Sequence, residues 1–191
     1  ECWYTGTTPT PRVLAVESVC QSKERWKECC AAAGISWLRP SADIVCTPRF
    51  NSVIDRHDSK GAVLSLCFVG LLRAILEQAE GEAVHVTVDK HGGRNRYGVM
   101  LQDAFPEGWV VIRQEALLES RYEVMGLDRP LHIKFCVEAD GREMTVALAS
   151  MVSKYLREVL MAEWNAYWCG QVPGIKATAG YPEDAKRFYQ E

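Results

Sequence analysis

The sequence lacks several features that would assign it quickly to a class of protein. It has 14 Gly and 8 Pro in 191 residues, too few for a collagen or a low-complexity chain, and its 48% hydrophobic content excludes intrinsic disorder. Lys and Arg number 22 against 25 Asp and Glu, so there is no general basic field. Any nucleic-acid binding must therefore come from a local patch. We expect one soluble domain that buries roughly two-thirds of its unfolded surface.

Signals for membranes and secretion are also missing. We find no run of about 20 apolar residues of the kind that spans a bilayer, and no basic start followed by an apolar core. The eight cysteines form no Cys-x-x-Cys, and no Cys and His residues have the spacing of a zinc site. We therefore predict reduced thiols in a cytoplasmic protein with no membrane partner.

The pattern of apolar residues predicts an α/β domain, with helices and strands alternating around a sheet. A loop rich in Thr and Pro occupies residues 1–12. The predicted helices are Ser22–Ala33, Gly61–Gln78 and Thr145–Glu163. The predicted strands are Ala42–Cys46, Ala83–Val88 and Leu131–Val137. Because the second helix is apolar on most faces, we expect it to be buried between layers.

The densest group of chemically active residues begins where the second predicted strand ends, at Asp89. The residues that follow it are mostly cationic, with two glycines among them: Lys90, His91, Gly92, Gly93, Arg94 and Arg96. A carboxylate at the carboxyl end of a buried strand lies where open α/β sheets bind ligands. Such a carboxylate beside several cations suits a metal ion together with a phosphate. The alternative is a polar hairpin in which Asp89 only pairs with Arg94 or Arg96.

A second group combines Glu138 and Asp140 with the helix that follows them. On that helix Ser150, Lys154 and Arg157 are spaced i, i+4 and i+7, which places them on one stripe of its surface. A hydroxyl, an ammonium and a guanidinium on one face can hold a phosphodiester backbone without reading bases. The alternative is a solvated helix face in which Lys154 pairs with Glu158.

A third group is the Gly- and Pro-containing turn at residues 178–184. It presents Tyr181, whose ring could stack on a sugar or a base. The alternative is that this ring only packs the turn against the core.

The order of these three groups resembles the C-terminal two-thirds of the ribonuclease HII family (type 2 ribonuclease H). The strand that ends at Asp89 is similar to the family's strand that ends in its third catalytic aspartate. Asp140 lies ten residues before Ser150 and precedes a helix that contains the pattern Ala-Ser-x-x-x-Lys. It resembles the family's fourth catalytic aspartate, which precedes a helix with the same pattern. Gly180-Tyr181-Pro182 is similar to the family's Gly-Tyr-Pro turn, whose tyrosine stacks at the sugar beside the cut. The resemblance covers about residues 42–189.

The resemblance implies an α/β, ribonuclease H-like mixed sheet flanked by helices. Residues 1–41 would be an N-terminal loop and helix region, and residues 42–191 the C-terminal portion of the catalytic domain. The implied activity is a metal-dependent endonuclease that cuts the RNA strand of RNA/DNA hybrids, or duplex DNA at a ribonucleotide. Mg²⁺ or Mn²⁺ would be the cofactor, with two ions clamping one phosphate.

The resemblance also implies a role for each candidate residue. Asp89 and Asp140 would be catalytic and would bind the metal, and Glu138 competes with Asp140 because both would point to the same face of the strand. The expected nucleic-acid contacts are Ser150, Lys154, Arg157, Tyr181, Lys90, Arg94 and Arg96.

One part of the family pattern has no counterpart, namely the opening Asp-Glu-Ala-Gly strand. Ala15–Ser18 is the nearest acidic strand-like piece. We therefore expect the sheet to be incomplete on its N-terminal side, as in the rear portion of a longer nuclease that is a monomer when complete. On that basis this chain alone should bind Mg²⁺ weakly and should not cleave.

The sequence is also compatible with two other functions. The chain could be a non-catalytic nucleic-acid-binding protein of the same fold, with the hybrid as its partner. Alternatively, His91–Arg94 could form a nucleotide-phosphate loop in an unrelated enzyme. The second alternative is weaker, because such a loop should open directly into the N-terminus of a helix.

Overall fold

The structure, a computed structural model, describes residue 4 and residues 16–37, 40–81 and 83–191. The predicted loop at residues 1–12 lies outside these ranges except for Tyr4. The described helices are α1 (Val16–Ala32), α2 (Thr47–His57), α3 (Lys60–Gln78), α4 (Gly98–Ala104), α5 (Met144–Gln171) and α6 (Pro182–Gln190). The strands are β1 (Val84–Asp89), β2 (Trp109–Glu115), β3 (Glu119–Met125) and β4 (Leu131–Cys136), followed by a 3₁₀ turn at Ala139–Gly141.

The chain divides into two compact units. The first comprises residues 1–38 and 152–191, and the second comprises residues 39–151. One boundary therefore lies close to the 41/42 division made from the sequence, while the other lies inside α5. The second unit contains the whole sheet and is called the sheet unit below. The first unit contains α1, the later part of α5 and α6, and is called the helical unit.

The sheet has four strands in the order β1-β4-β3-β2. β1 pairs with β4 in parallel, with Asp89 opposite Cys136, and β3 pairs antiparallel with both β4 and β2. The prediction of a mixed α/β architecture, with a mixed sheet flanked by helices, is confirmed at that level. The hairpin of β2 and β3 was not predicted from the sequence, nor were α2 and α4.

One face of the sheet forms the core of its unit. The inward-facing residues of β4 alternate along the strand and are Leu131, Ile133 and Phe135. Tyr122 and Val124 of β3 lie beside them in the core. Phe135 is 0% exposed, and its ring stacks on that of Tyr97 with centroids 3.6 Å apart. The half-buried alternation predicted for this strand is thus confirmed, and the strand ends one residue earlier than expected.

Helix α3 forms where it was predicted, but it is not buried on most faces. Leu72 is buried in the core and Phe68 packs against it, whereas Leu64, Leu66 and Ile75 are exposed. With 19 residues and a mean hydropathy of 1.5, α3 is the one described helix long and apolar enough to cross a membrane. The expectation that no segment reaches this threshold was therefore wrong. A single such helix is weak evidence for a membrane span, because length and composition are its only support.

The strand predicted at Ala42–Cys46 does not form. Asp43 instead accepts a hydrogen bond from Nη2 of Arg49 at 2.8 Å, and Cys46 lies at the N-cap of α2, whose first turn contains Pro48. This segment has no strand partner in the described sheet, and Ile44 stays exposed. A short apolar run followed by Thr-Pro is therefore the entry to a helix in this chain.

Helices α1 and α5 differ from expectation mainly in their ends, whereas α6 was not predicted from the sequence. α1 starts at Val16, so the acidic piece at residues 16–18 is helical and offers no substitute for a strand. α5 begins one residue before the predicted start and continues eight residues beyond Glu163. The described cysteines are free thiols: Cys20, Cys29, Cys30, Cys46, Cys67, Cys136 and Cys169.

Candidate active site

Asp89 closes β1 and is tied to the segment that follows β4. Its Oδ1 accepts a hydrogen bond from the backbone N–H of Ala139 at 2.9 Å, while the N–H of Lys90 continues the parallel ladder to the carbonyl of Cys136. Ala139 lies between Glu138 and Asp140, the two candidates for the second metal ligand. The structure therefore joins the two predicted acidic groups through one bond across 50 residues.

Glu138 and Asp140 do not lie on a strand, as the sequence suggested. β4 ends at Cys136, Glu138 adopts a left-handed backbone with φ of 52°, and Asp140 belongs to the 3₁₀ turn. The expectation that both point to one face of the strand was wrong, because the chain turns sharply before reaching them. Both side chains are exposed, so either carboxylate is accessible to a ligand.

Two further carboxylates lie near this end of the sheet. Glu119 of β3 pairs with Cys136 across the strands, and its Oε2 is 3.6 Å from the Cys136 thiol. Glu143 accepts a bond from Nζ of Lys134 at 2.5 Å. Arg121 holds the pKa of Glu119 below its usual range, and burial raises the pKa of Cys136. Both glutamates are thus partly neutralised by neighbouring cations.

The loop after Asp89 is not the open polar hairpin that would pair Asp89 with an arginine. Lys90 is only 8% exposed, and its Nζ donates to Oδ1 of Asn95 at 2.8 Å and to the carbonyl of Ala116 at 2.5 Å. Burial lowers the pKa of this ammonium. Lys90 is therefore an internal support of the loop, which removes it from the expected direct contacts with nucleic acid.

The two arginines of the loop have different environments. Arg94 donates to the carbonyl of Arg96 and to Oγ of Ser65, and its guanidinium lies 5.1 Å from the ring centroid of Tyr97. Arg96 has a side chain 89% exposed and lies 3.8 Å from Glu115. Arg96 is consequently the more available cation, since the groups of Arg94 are occupied by the protein.

His91 is packed among aromatic rings beside the candidate carboxylate. Its ring meets those of Phe68, Tyr97 and Phe135 edge-on, with centroids 5.5 to 5.8 Å apart. Nδ1 is buried and lacks a hydrogen-bond partner among the described residues. Burial also lowers the pKa of this imidazole, which favours its neutral form. Its surroundings are those of a core side chain.

The three residues predicted to form a stripe all lie on α5. Ser150 is half-buried within the sheet unit, whereas Lys154 and Arg157 fall in the helical unit. Lys154 is exposed, and Glu158, its partner in the alternative interpretation, pairs with Arg157 at 2.8 Å. Lys154 therefore remains accessible to a phosphate, as the stripe requires.

In the helical unit, the turn that presents Tyr181 is built by many short-range bonds. Oδ2 of Asp184 accepts from Oγ1 of Thr178 at 2.7 Å and from the N–H of Ala179 at 2.6 Å. Asn165 of α5 bonds both the N–H and the carbonyl of Thr178 at 2.8 Å. These bonds hold the turn rigid against α5 at the point where α6 begins.

Tyr181 itself is 62% exposed and is not packed into the core. The guanidinium of Arg157 lies 4.6 Å from its ring centroid and also donates to the carbonyl of Ala179. One face of the ring is therefore backed by a cation while the side chain stays open to solvent. Arg157 supports this ring in addition to being a candidate phosphate contact.

A cavity of about 420 Å³ lies on the open face of the sheet, and Asp89 is not among its lining residues. His85 and His132 stack there with ring centroids 4.6 Å apart, next to Arg113 and Glu123. The guanidinium of Arg113 is paired with Glu123 at 2.5 Å, and Nδ1 of His132 lies 4.0 Å from the same carboxylate. Two more lining cations, Arg121 and Lys134, pair with Glu119 and Glu143. Each of the three fixed cations of the lining therefore has a carboxylate partner, which weakens the attraction of the cavity for a polyanion.

The metal expectation can be tested against the donors present. Within residues 16–37, 40–81 and 83–191 there is no group of three or more His, Cys, Asp or Glu side chains placed to hold a metal ion. The described residues therefore do not fit a two-ion site. Asp89 and Asp140 do supply the one or two carboxylates with which Mg²⁺ is commonly bound, its other ligands being water and substrate phosphate.

Sequence reasoning missed the groups that support the loop, namely Ser120 and Tyr122 of β3 and the carbonyl of Ala116. The alternation of β3, with Ser120, Tyr122 and Val124 at every second position, was the signal that could have revealed this strand. Sequence reasoning also missed Glu119, which strand pairing places opposite Cys136, the partner of Asp89. It missed Glu143 as well, whose N–H bonds the carbonyl of Ala139.

Comparison with known proteins does not add a relative. The chain matches no protein-family model, no curated protein and no solved structure.

Proposed function

We propose that this chain is the catalytic portion of a metal-dependent endoribonuclease acting on RNA/DNA hybrids or on ribonucleotides in duplex DNA. The observation that carries the proposal is the bond from the N–H of Ala139 to Asp89. It couples a carboxylate at a strand end to the segment that contains Asp140. Ligands of open α/β sheets bind at such strand ends.

The proposed roles follow from exposure and charge. Asp89 and Asp140 would hold Mg²⁺ or Mn²⁺, which when bound would supply charge stabilisation at the scissile phosphate. Among the predicted nucleic-acid contacts, Arg96 in the sheet unit and Lys154 in the helical unit are exposed cations, each available to a phosphodiester backbone at its own unit. Tyr181, backed by Arg157, offers a ring for stacking on a sugar or base.

The test of this proposal is Asp89→Asn. Asparagine keeps an oxygen that can accept the Ala139 bond but loses the charge that binds a metal. In the product of the whole reading frame we expect loss of at least about 100-fold in Mg²⁺-dependent hybrid cleavage, with hybrid affinity changed less than twofold. Cleavage is followed on a labelled hybrid and binding by fluorescence anisotropy.

The matched control is Asp103→Asn, an exposed carboxylate on α4 that should leave both cleavage and binding unchanged. Equal loss of cleavage and binding in Asp89→Asn would assign Asp89 a structural role. Absence of any preference of the unsubstituted protein for a hybrid, or for a duplex that contains a ribonucleotide, over an all-DNA duplex would overturn the proposed function. The 191-residue chain alone is expected to bind the hybrid without cutting it.

A second candidate is a non-catalytic hybrid-binding protein of the same architecture. It is favoured by one observation, the lack among the described residues of three side chains that could hold a metal. The two candidates separate on cleavage by the product of the whole reading frame. A binding protein would hold the hybrid with the same affinity with or without Mg²⁺ and would not cut it in that form either.

A further inference from the structure

Lys90 follows the candidate catalytic carboxylate directly, yet its ammonium is turned into the protein. It donates to two neutral acceptors, Oδ1 of Asn95 and the carbonyl of Ala116. These acceptors lie on different segments. Asn95 belongs to the loop after β1, and Ala116 belongs to the turn that joins β2 to β3. A single buried charge therefore joins the loop to the hairpin.

Two further bonds join the same segments. Oγ of Ser120, a fully buried residue, donates to the carbonyl of Asn95 at 2.7 Å. The N–H of Tyr97 donates to the hydroxyl of Tyr122 at 2.9 Å. Because the donors are buried and the acceptors are at least half-buried, each lost partner would leave a poorly satisfied polar group, so the loop has one strongly preferred arrangement.

The part of the loop that faces solvent carries the features a polyanion needs. Gly92 and Gly93 have open space where a side chain would lie, and Gly92 has a left-handed φ of +58°. Arg96 extends its guanidinium outward from the same loop. The buried bonds therefore fix the position of a surface cation and of two exposed glycines beside Asp89.

We propose that Lys90 is a positioning residue, which holds loop 91–96 in the shape that binds the nucleic-acid backbone without itself contacting a phosphate. This inference rests on the proposed function, since it assigns a role within the same site. A lysine that contacts phosphate changes both the affinity and its salt dependence. A positioning lysine changes only the fraction of the free protein whose loop already has the binding shape. The bound complex then keeps the same phosphate contacts, including that of Arg96, and the affinity falls at an unchanged salt slope.

The experiment is a salt titration of hybrid binding by Lys90→Met, which keeps the length of the side chain and removes its charge. We expect the affinity to fall about tenfold at every salt concentration, because two half-buried acceptors lose their donor. The slope of log affinity against log salt should stay that of the unsubstituted chain. Arg96→Ala should instead reduce that slope by about 0.7 to 0.9.

Lys27→Met, which removes an exposed lysine paired with Glu24 on α1, is the charge-matched control and should change neither quantity. Ser120→Ala removes the neighbouring bond without changing charge, and should weaken binding at constant slope even if Lys90→Met fails to fold. A reduced slope in Lys90→Met, or unchanged affinity in the variants that fold, overturns the positioning role. No hybrid binding by the unsubstituted chain overturns the proposed function and this inference with it.

Discussion

The strand-end site of the sheet unit and the Tyr181 turn of the helical unit are held in contrasting ways. Asp89 is joined to Ala139 across 50 positions of sequence, and Lys90 to Ala116 across 26. In the turn, Asp184 reaches back only six positions to Thr178. The strand-end site therefore exists only when the whole sheet has formed, whereas the turn is specified largely by its own residues.

This contrast predicts different sensitivities to change. A local turn loses its shape when one of its own residues is replaced. A site assembled from distant strands is lost when the core beneath it weakens, even if no functional residue is touched. Three experiments distinguish a turn held by its own residues from a site assembled from distant strands, and the largest effect is expected in the core of the sheet unit.

Phe135→Ala should affect the strand-end site most. The ring is fully buried and stacks on Tyr97, so its removal should lower the free energy of unfolding of the sheet unit by about 3–5 kcal/mol. Urea unfolding followed by circular dichroism measures this loss, and faster hydrogen exchange at the Ala139 amide reports on the Asp89 bond. The control Leu117→Ala, at a residue 77% exposed, should change stability by less than about 0.5 kcal/mol.

An unchanged exchange rate at Ala139 in Phe135→Ala would contradict the dependence of the site on the core. It would mean that the acidic segment keeps its shape through local contacts, as the turn does.

Gly180→Ala should damage the turn by an intermediate amount. Gly180 has a φ of +72°, and an added Cβ would meet the side chain of Met161 at 3.1 Å. Both effects are unfavourable, so we expect a loss of about 1–2 kcal/mol in the free energy of unfolding of the helical unit. Gly170→Ala, where a Cβ enters open space on a helix, should instead leave stability unchanged or raise it by up to about 1 kcal/mol. Equal effects of the two substitutions would refute the conformational argument.

Acidification should have the smallest effect. Bonds from Thr178, Ala179 and Arg187 lower the pKa of Asp184 to about 2, from an ordinary value of 3.8. Because the folded pKa is depressed, this carboxylate contributes its full stability above about pH 4, and the contribution is lost as the pH falls toward 2. Urea midpoints measured at pH 2, 3 and 5 should show this loss, and Asp184→Asn should flatten it. Glu183→Gln, at an exposed neighbour, should leave the profile as it is.

The sequence predicted those parts whose signal is local or strongly periodic. The alternation from Leu131 onward identified β4, the β-branched run before Asp89 identified β1, and the apolar periodicity identified α3 and α5. It failed where tertiary contacts decide. The apolar run at residues 42–46 resembled a strand but has no partner in the described sheet, and β2 escaped because most of its residues are exposed.

The candidate site divides in the same way. The sequence by itself determined which residue types follow β1 and precede α5, and the composition of the turn around Tyr181. Only the tertiary structure decided that Lys90 is an internal support, that Glu138 and Asp140 leave the strand, and that Asp89 is bonded beside them. The physical reason is that burial and hydrogen-bond partners depend on strand pairing between distant segments. Spacing along a chain specifies them only where the partners are near neighbours, as they are at Thr178 and Asp184.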